Sequence, residues 1–299
     1  MLRRTIPLLY GALIACLMAA TGCARFGSPQ YATIHEALRE ADVQDVEAHL
    51  EAGVDPDIRD ARGMTPLHQS ATYDDVAVAE VLIAAGADLD ARDERGDAPL
   101  AWACVFGAAD MVELLLDAGA DVRSLNDKGG AALNAAATYG HPELIATLLE
   151  ADLALPPSGG PVRRAVIEGD AERARALLAD GADPDRQDFA GNTPLHYAAV
   201  TGSATVTKSL LDAGADPDAQ SACAKRPLHL AASVAPLDVV ELLVEAGADV
   251  SARDAWDYTP VGRGARWGRE HIANYIEAHG GLISPAERNL APGHAMAEQ

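Results

Sequence analysis

The sequence predicts an all-α solenoid of about eight helix pairs, because a block of about 33 residues recurs along most of the chain. Thr65-Pro66-Leu67-His68 returns unchanged at residues 193–196, and altered copies follow at steps of 33 residues. A second signal, Gly followed by Ala or Val and then Asp, closes six of the blocks, as at residues 86–88 and 214–216. A helix pair this short cannot bury its apolar face alone, so neighbouring blocks must supply a shared core.

Each block predicts two helices in a fixed order. Thr before Pro predicts the start of the first helix, because Thr caps a helix and Pro suits its first turn. A Gly nine residues after the Thr, as at Gly107 and Gly202, predicts the end of that helix. Apolar residues at helical spacing then predict the second helix, as in Val239, Leu242 and Leu243.

The spacing of the blocks predicts an interruption near residues 155–160. The predicted first helices begin near Ala32, Thr65, Ala98, Ala131, Gly160, Thr193, Arg226 and Thr259. The step from the fourth to the fifth is only 29 residues, and Pro, Ser and Gly occupy 156–160. We therefore divide the array into residues 31–155 and 156–283, with a kink between them. Residues 37–71 match 165–199 at an offset of 128, which suggests a duplicated four-repeat unit; the alternative is that all such repeats are alike.

The period and the Thr-Pro-Leu-His signature resemble the ankyrin repeat over roughly residues 31–283. The resemblance implies a stack of helix pairs with protruding finger loops, and a function in holding protein partners. It also implies that the histidines three residues after the Thr position hydrogen-bond local backbone and hydroxyl groups. These histidines are His35, His68, His196 and His229.

The N-terminus predicts export and lipid anchoring in a bacterium. Arg3 and Arg4 precede an apolar run over residues 6–20, the order of a signal peptide, which we assign to residues 1–22. The following Cys23 completes a sequence that resembles a lipobox, so residues 23–30 are predicted to be a lipidated Cys and a short tether. Ala24 favours the periplasmic side of the outer membrane. The alternatives are ordinary secretory cleavage and an uncleaved membrane anchor.

The charge of the chain disfavours nucleic acid and anionic lipid as ligands. The formal net charge is −22, and it becomes −24 once residues 1–22, with two arginines and no acid, are removed. An acidic surface repels both phosphate-bearing classes and favours a basic protein partner. The alternative is that the acidity only keeps the protein soluble. We expect a monomer.

No pattern predicts catalysis, a metal site or a cofactor. Four of the nine histidines follow the repeat, the other five share no spacing that would gather them, and the chain contains no His-Glu-x-x-His or Cys-x-x-Cys motif. Cys104 falls at a core position of a first helix, whereas Cys223 falls in a finger loop, where it is either an exposed thiol or a small covered residue. A haem, metal or redox role that uses the histidines or Cys223 is therefore the alternative from another class.

Two candidate partner-binding surfaces follow from the repeat. Aromatic residues fill the eighth position after the Thr position in three consecutive repeats and predict a ladder along the concave groove: Tyr73, Phe106 and Tyr139. A basic residue holds one equivalent finger position in the same half: Arg62, Arg95 and Lys128. A second aromatic patch is predicted at the far end: Trp256, Tyr258 and Trp267. The alternative is that these rings pack on neighbouring fingers or cap the last repeat.

These observations predict a non-enzymatic, lipid-anchored protein that binds or scaffolds a periplasmic protein through its groove and fingers. Rigid aromatic side chains suit such a surface, because they bury much area at little cost in conformational entropy. Within the same class, the alternative is an inhibitor or immunity-type protein directed against a periplasmic enzyme.

Overall fold

The computed structural model describes residues 29–156, 158–283 and Glu287. These residues form sixteen α-helices and no strand, so the prediction of an all-α solenoid is confirmed. The chain divides into two compact units, the first ending at Ser124 and the second beginning at Leu125. This division follows the density of contacts, whereas the predicted division after residue 155 follows the spacing of the repeats.

The first unit contains three helix pairs. Its helices are α1 (Ile34–Arg39), α2 (Val43–Glu51), α3 (Pro66–Tyr73), α4 (Val76–Ala84), α5 (Pro99–Phe106) and α6 (Ala109–Ala118). The first helices of the pairs, here called inner helices, pack side by side as α1, α3 and α5, and the second, outer helices do the same as α2, α4 and α6. Leu67, Leu82, Met111 and Leu115 are fully buried in this core.

The second unit contains five helix pairs. Its helices are α7 (Ala132–Thr138), α8 (Glu143–Leu153), α9 (Gly160–Ile167), α10 (Ala171–Ala179), α11 (Pro194–Thr201), α12 (Ala204–Asp212), α13 (Pro227–Val234), α14 (Leu237–Glu245), α15 (Pro260–Arg266) and α16 (Glu270–Ala278). The inner helices α9, α11, α13 and α15 pack in that order. Helix α7, the inner helix of the fourth repeat, instead packs against α13, the inner helix of the seventh repeat. The regular order is thus interrupted between the fourth and fifth repeats.

The inner helices begin at the predicted capping positions in most repeats. The N-cap residue coincides with the prediction at Thr65, Ala98, Ala131, Thr193, Arg226 and Thr259. In the first repeat the cap is Thr33 rather than the predicted Ala32, because the Thr33 side chain accepts a hydrogen bond from the Glu36 N–H. This shift moves His35 out of the register of the other repeat histidines.

The loop before an inner helix is here called a finger and is numbered by the repeat that it precedes. Several fingers turn around one side chain. In the third finger, Asp93 Oδ1 accepts hydrogen bonds from the Arg95 and Asp97 N–H groups at 2.8 and 2.9 Å. Adjacent fingers are joined through the backbone, as where the Glu94 N–H donates to the Arg62 carbonyl at 3.2 Å. The fingers therefore hold a fixed register within their unit.

The last repeat lacks the histidine of the third helical position and uses instead a residue from beyond its own helices. Gly262 stands three residues after Thr259, where the second, sixth and seventh repeats have His. The Thr259 N–H donates to Glu287 Oε1 at 2.7 Å, and a side chain at Gly262 would overlap that carboxylate. Glu287 thus occupies the place of the missing ring and satisfies the same N–H group.

Two predicted segments lie outside the described residues. The signal peptide and Cys23 fall within residues 1–28. Residues 284–299, whose polar, Pro- and Gly-containing sequence predicts a disordered tail, are described only at Glu287. Among the described residues, no helix has both the length and the apolar character needed to cross a membrane.

Candidate protein-binding surfaces

The repeat histidines hold the fold together rather than forming a site. In the second repeat, the Thr65 N–H donates to His68 Nδ1 at 3.1 Å, and His68 Nε2 lies 3.0 Å from the Asp97 carbonyl of the next finger. Since Nδ1 accepts a hydrogen bond, Nε2 carries the proton and the ring is neutral. His196 and His229 repeat this arrangement, and burial lowers the pKa of each to about 4.

His35 differs from these histidines. Both of its ring nitrogens are buried without a hydrogen-bond partner. The hydrogen-bonding role that the resemblance implies therefore applies to His68, His196 and His229 but not to His35. In the first repeat, Glu36 occupies the third helical position, and its carboxylate accepts a hydrogen bond from the Ala32 N–H at 3.0 Å.

The two cysteines among the described residues are buried, one in each unit. Cys104 lies in the core of the first unit, and burial raises the pKa of its thiol. Cys223 is fully buried, with its Sγ 3.2 Å from Ser221 Oγ, so it is a covered residue and not an exposed thiol. No group of His, Cys, Asp or Glu within the described ranges is arranged to hold a metal ion.

A side-chain hydrogen bond recurs between a finger and the inner helix that follows it, and the sequence analysis did not predict it. Asp93 Oδ2 accepts a hydrogen bond from Trp102 Nε1 at 3.0 Å, while its other oxygen holds the finger turn. The same spacing of nine residues links three further pairs: Asp60 with Gln69, Asp188 with Tyr197, and Asp254 with Arg263. That constant spacing is visible in the sequence and would have placed Trp102 and Tyr197 against their own fingers.

The first unit presents aromatic side chains at the ends of two neighbouring inner helices. Tyr73, the last residue of α3, is 54% exposed. Phe106, the last residue of α5, is half-buried and stacks on Trp102 with 5.9 Å between ring centroids. Arg62 and Arg95 are exposed on the second and third fingers. Aromatic and basic groups are therefore both accessible on this unit.

In the second unit the predicted aromatics contact one another across repeats. Tyr139 lies after α7 and Trp267 after α15, yet their ring centroids are 6.1 Å apart. Trp267 Nε1 also donates to the Thr138 carbonyl at 2.8 Å. The structure therefore joins a residue of the predicted groove to one of the predicted far-end patch.

Trp256 and Tyr258 in the eighth finger are covered by cationic side chains. Lys225 Nζ lies 3.8 Å and Lys128 Nζ 5.1 Å from the Trp256 ring centroid. The guanidinium of Arg263 lies 4.2 Å from the Tyr258 ring, whose hydroxyl accepts from Arg266 at 3.1 Å. Such cation–π contacts stabilise the finger and leave both rings only partly accessible.

Beneath this finger lies a buried ionic cluster. Asp254 contacts Arg263 and lies 3.8 Å from Lys225 Nζ. Burial alone would raise the pKa of the Asp254 carboxyl, but Arg263 and Lys225 outweigh it and keep the pKa below the usual range. Burial also lowers the pKa of Lys225 to about 8. The cluster is part of the buried core of the second unit, and within it the Nε atom of Arg263 has no hydrogen-bond partner.

Comparison with protein families supplies the identity of the fold. The family model for ankyrin repeats (3 copies) matches residues 34–126 and again residues 162–254. Each boundary of the second match lies 128 residues after the first, the same offset that relates residues 37–71 to 165–199. A comparison with curated proteins found no match. Ankyrin repeats are typically non-enzymatic modules that bind other proteins. The two matches cover more than half of the chain, which therefore belongs to the ankyrin-repeat family.

Proposed function

We propose that this chain is a non-enzymatic binding protein, anchored to a bacterial membrane through lipid on Cys23, which holds a periplasmic protein on the inner face of its first unit. The observation that carries the proposal is the accessibility of that face. Tyr73 is 54% exposed at the end of α3, and Arg62 and Arg95 are exposed on the fingers beside it. In the second unit, the rings of the equivalent residues Tyr139 and Trp267 pack against each other.

The charge of the first unit favours a basic partner. Residues 29–124 contain 21 acidic and 6 basic side chains, a net charge of −15 with His neutral. A field of this sign speeds the approach of a cationic protein, while the rings at the inner face supply buried area after contact. Binding should therefore slow as ionic strength rises, because salt screens the approach.

The aromatic part of the proposal is tested by Tyr73→Ala combined with Phe106→Ala. Partner capture from envelope extracts of the native host should fall at least about tenfold, because two aromatic anchors are lost. Leu282→Ala, which removes an apolar side chain that is 67% exposed elsewhere, is the matched control. Unchanged capture by the double variant, or loss of folding of the first unit, would reject the surface.

The anchoring part is tested separately by Cys23→Ser, with Cys16→Ser as the matched control inside the predicted signal peptide. Lipid attachment holds a protein at a bilayer because each buried methylene contributes about 0.8 kcal/mol. Cys23→Ser should leave unprocessed precursor, whereas Cys16→Ser should mature normally. Normal maturation of a soluble Cys23→Ser protein would count against lipidation without affecting the partner-binding result.

A further inference from the structure

The inner face of the sixth to eighth repeats is covered by the chain's own fourth repeat. Within the second unit, α7 packs against α13, the inner helix of the seventh repeat. The fourth finger and both ends of α7 contact the sixth, seventh and eighth repeats through a small set of side chains. These contacts resemble those that a bound partner would make with such a face, although they are made by a segment of the same chain.

The fourth finger makes the first group of contacts. Lys128 Nζ donates to the Ala255 carbonyl at 3.1 Å and lies 5.1 Å from the Trp256 ring centroid. A Cβ atom at Gly129 would lie only 2.6 Å from the Cβ of Ala222. The fourth finger therefore lies directly on the seventh and eighth fingers, and the absence of a side chain at residue 129 permits that approach.

Helix α7 makes the second group. Asn134 Nδ2 donates to Asn192 Oδ1 at 3.4 Å, a long hydrogen bond. At the other end of the helix, Trp267 Nε1 donates to the Thr138 carbonyl, and a Cβ atom at Gly140 would lie 2.9 Å from the indole. The contacts thus extend from the sixth repeat to the eighth.

This cover buries positions that are more open in the first unit. Val200 and Ser233, seven residues after their capping positions, are 6% and 3% exposed. The equivalent Thr72 and Val105 in the first unit are half-buried. Leu230 of α13 is also buried, at 3% exposed. The inner face of the sixth to eighth repeats is therefore closed by the fourth repeat.

The cover is held by few strong interactions. Helix α7 is uncharged and supplies Ala137 and the partly buried Leu133 to the hydrophobic core of the second unit, whereas α8 of the same repeat adds Ile145 and Leu149. The only charged group among the contacts described above is Lys128, which is exposed. The buried hydroxyl of Thr138 has no hydrogen-bond partner, which costs stability in the docked state. A contact of this kind can be displaced without unfolding the repeats beneath it.

We propose that the inner face of the sixth to eighth repeats is a second docking surface, and that the fourth repeat is its built-in ligand, which closes it in the free protein. The chemistry of that ligand defines the partner: a short, uncharged, alanine-rich helix preceded by a turn with one basic side chain. Such a partner takes the place of α7 and releases the fourth repeat. This inference concerns the second unit and does not rest on the proposed function of the first.

The unmodified protein provides the first test, by hydrogen exchange. A ligand can leave its site while the site stays folded, so the amides of α7 should exchange through a local opening. Their protection should be clearly lower than that of α11 and α13 in the same protein. Equal protection of α7 and α13, at the level of global unfolding, would show that the fourth repeat is part of the core and would overturn the proposal.

A release variant provides the second test. Lys128→Ala with Tyr139→Ala removes a cation–π contact and an aromatic pair, and α7 amides should exchange about tenfold faster or more. The matched control is Lys208→Ala with Tyr73→Ala, which removes the same residue types at exposed positions. Trp102→Phe in every protein leaves Trp256 and Trp267, both at the docked contact, as fluorescence reporters. Their emission should shift to the red only in the release variant, and an unchanged emission would contradict docking.

A helix-stapled peptide with the sequence of residues 126–141 tests whether the exposed face accepts a ligand. The staple is needed because an isolated helix of this length is barely stable in water. The peptide should bind the release variant, restore the tryptophan emission, and bind the unmodified protein at least about tenfold more weakly. A peptide with alanine at the positions of Lys128 and Tyr139 should lose this affinity. Equal binding to both proteins, or none to the release variant, would overturn the proposal.

Discussion

Trp267 donates its indole N–H to the carbonyl of Thr138 at 2.8 Å, although the two residues belong to the eighth and fourth repeats. The carbonyl lies at the C-terminal end of α7, where the last carbonyls of a helix lack intrahelical partners. The indole therefore closes the end of a helix that stands far away in the sequence.

Replacing Trp267 with Phe should weaken this contact without emptying the space that the ring fills. One hydrogen bond is lost while most of the packing remains, so we expect the free energy of undocking α7 to fall by about 1 kcal/mol. Hydrogen exchange of the α7 amides measures this change directly. Trp102→Phe, which removes an indole hydrogen bond in the first unit, is the control. Unchanged α7 protection in Trp267→Phe would show that the indole hydrogen bond does not hold the fourth repeat.

Glu287 and Gly262 should show strong non-additivity. Glu287→Ala removes the acceptor of the Thr259 N–H, at an expected cost of about 1–2 kcal/mol in the free energy of unfolding. Gly262→His alone should also destabilise, because its side chain would overlap the Glu287 carboxylate.

The double variant Glu287→Ala with Gly262→His should recover stability, since His then occupies the position that it holds in the second and sixth repeats. Urea unfolding of the four proteins completes the cycle, with Glu277→Ala as an exposed control. Additive losses in the double variant would reject the equivalence of Glu287 and the repeat histidine.

The repeat histidines should make stability depend on pH. The pKa of His196 and of His229 is lowered by burial from 6.5 to about 4 in the folded chain, so each ring stays neutral while the unfolded chain takes up a proton. Their contribution is complete above about pH 6.5 and is lost as the pH falls toward about 4. We expect a loss on the order of 2–3 kcal/mol per histidine across that window.

Asn is the matched replacement, because Asn134 holds this position naturally in the fourth repeat. His196→Asn with His229→Asn should flatten the pH dependence between about 6.5 and 4 relative to the unmodified protein. Urea unfolding at several pH values measures the slope. An unchanged slope would mean that these rings titrate normally in the folded chain.

The finger carboxylates should contribute more to the free energy of unfolding than other acidic residues do. Asp93→Ala removes the acceptor for two finger N–H groups and for Trp102 Nε1, so we expect a loss of about 2 kcal/mol or more in the first unit. Asp117→Ala, an exposed residue on the outer helix α6, should change stability by less than about 0.5 kcal/mol. Thermal unfolding distinguishes them, and similar melting temperatures for the two variants would contradict the role of Asp93.

The helices could be predicted because their signals are local. Thr193 before Pro194 caps α11 as expected, and Gly202 ends it in the left-handed conformation that the spacing indicated. Capping and helix termination depend on residues within one turn, so a single repeat contains all the information needed. Thr33 in place of Ala32 shows the limit, since a neighbouring residue offered a better cap.

The environment of the aromatic residues could not be predicted in the same way. Tyr139 and Tyr73 hold equivalent repeat positions, yet Tyr139 meets Trp267 while Tyr73 is exposed. Repeat position fixes where a side chain points from its own helix pair, but contacts between nonadjacent repeats depend on how the fourth repeat packs within the second unit. The exposure of Cys223 could not be predicted for a related reason, because its burial depends on Ser221 and Lys225, which pack over it.

The most direct test of the account is photo-crosslinking in the native host, with a photoreactive amino acid placed at Tyr73 in one strain and at the equivalent Val234 in another. Position 282, which is exposed outside both inner faces, serves as the control. We predict that a partner is captured from position 73, but not from position 234 while the fourth repeat covers the second unit. Capture of the same partner from position 234 and not from position 73 would contradict the assignment of the accessible binding face to the first unit.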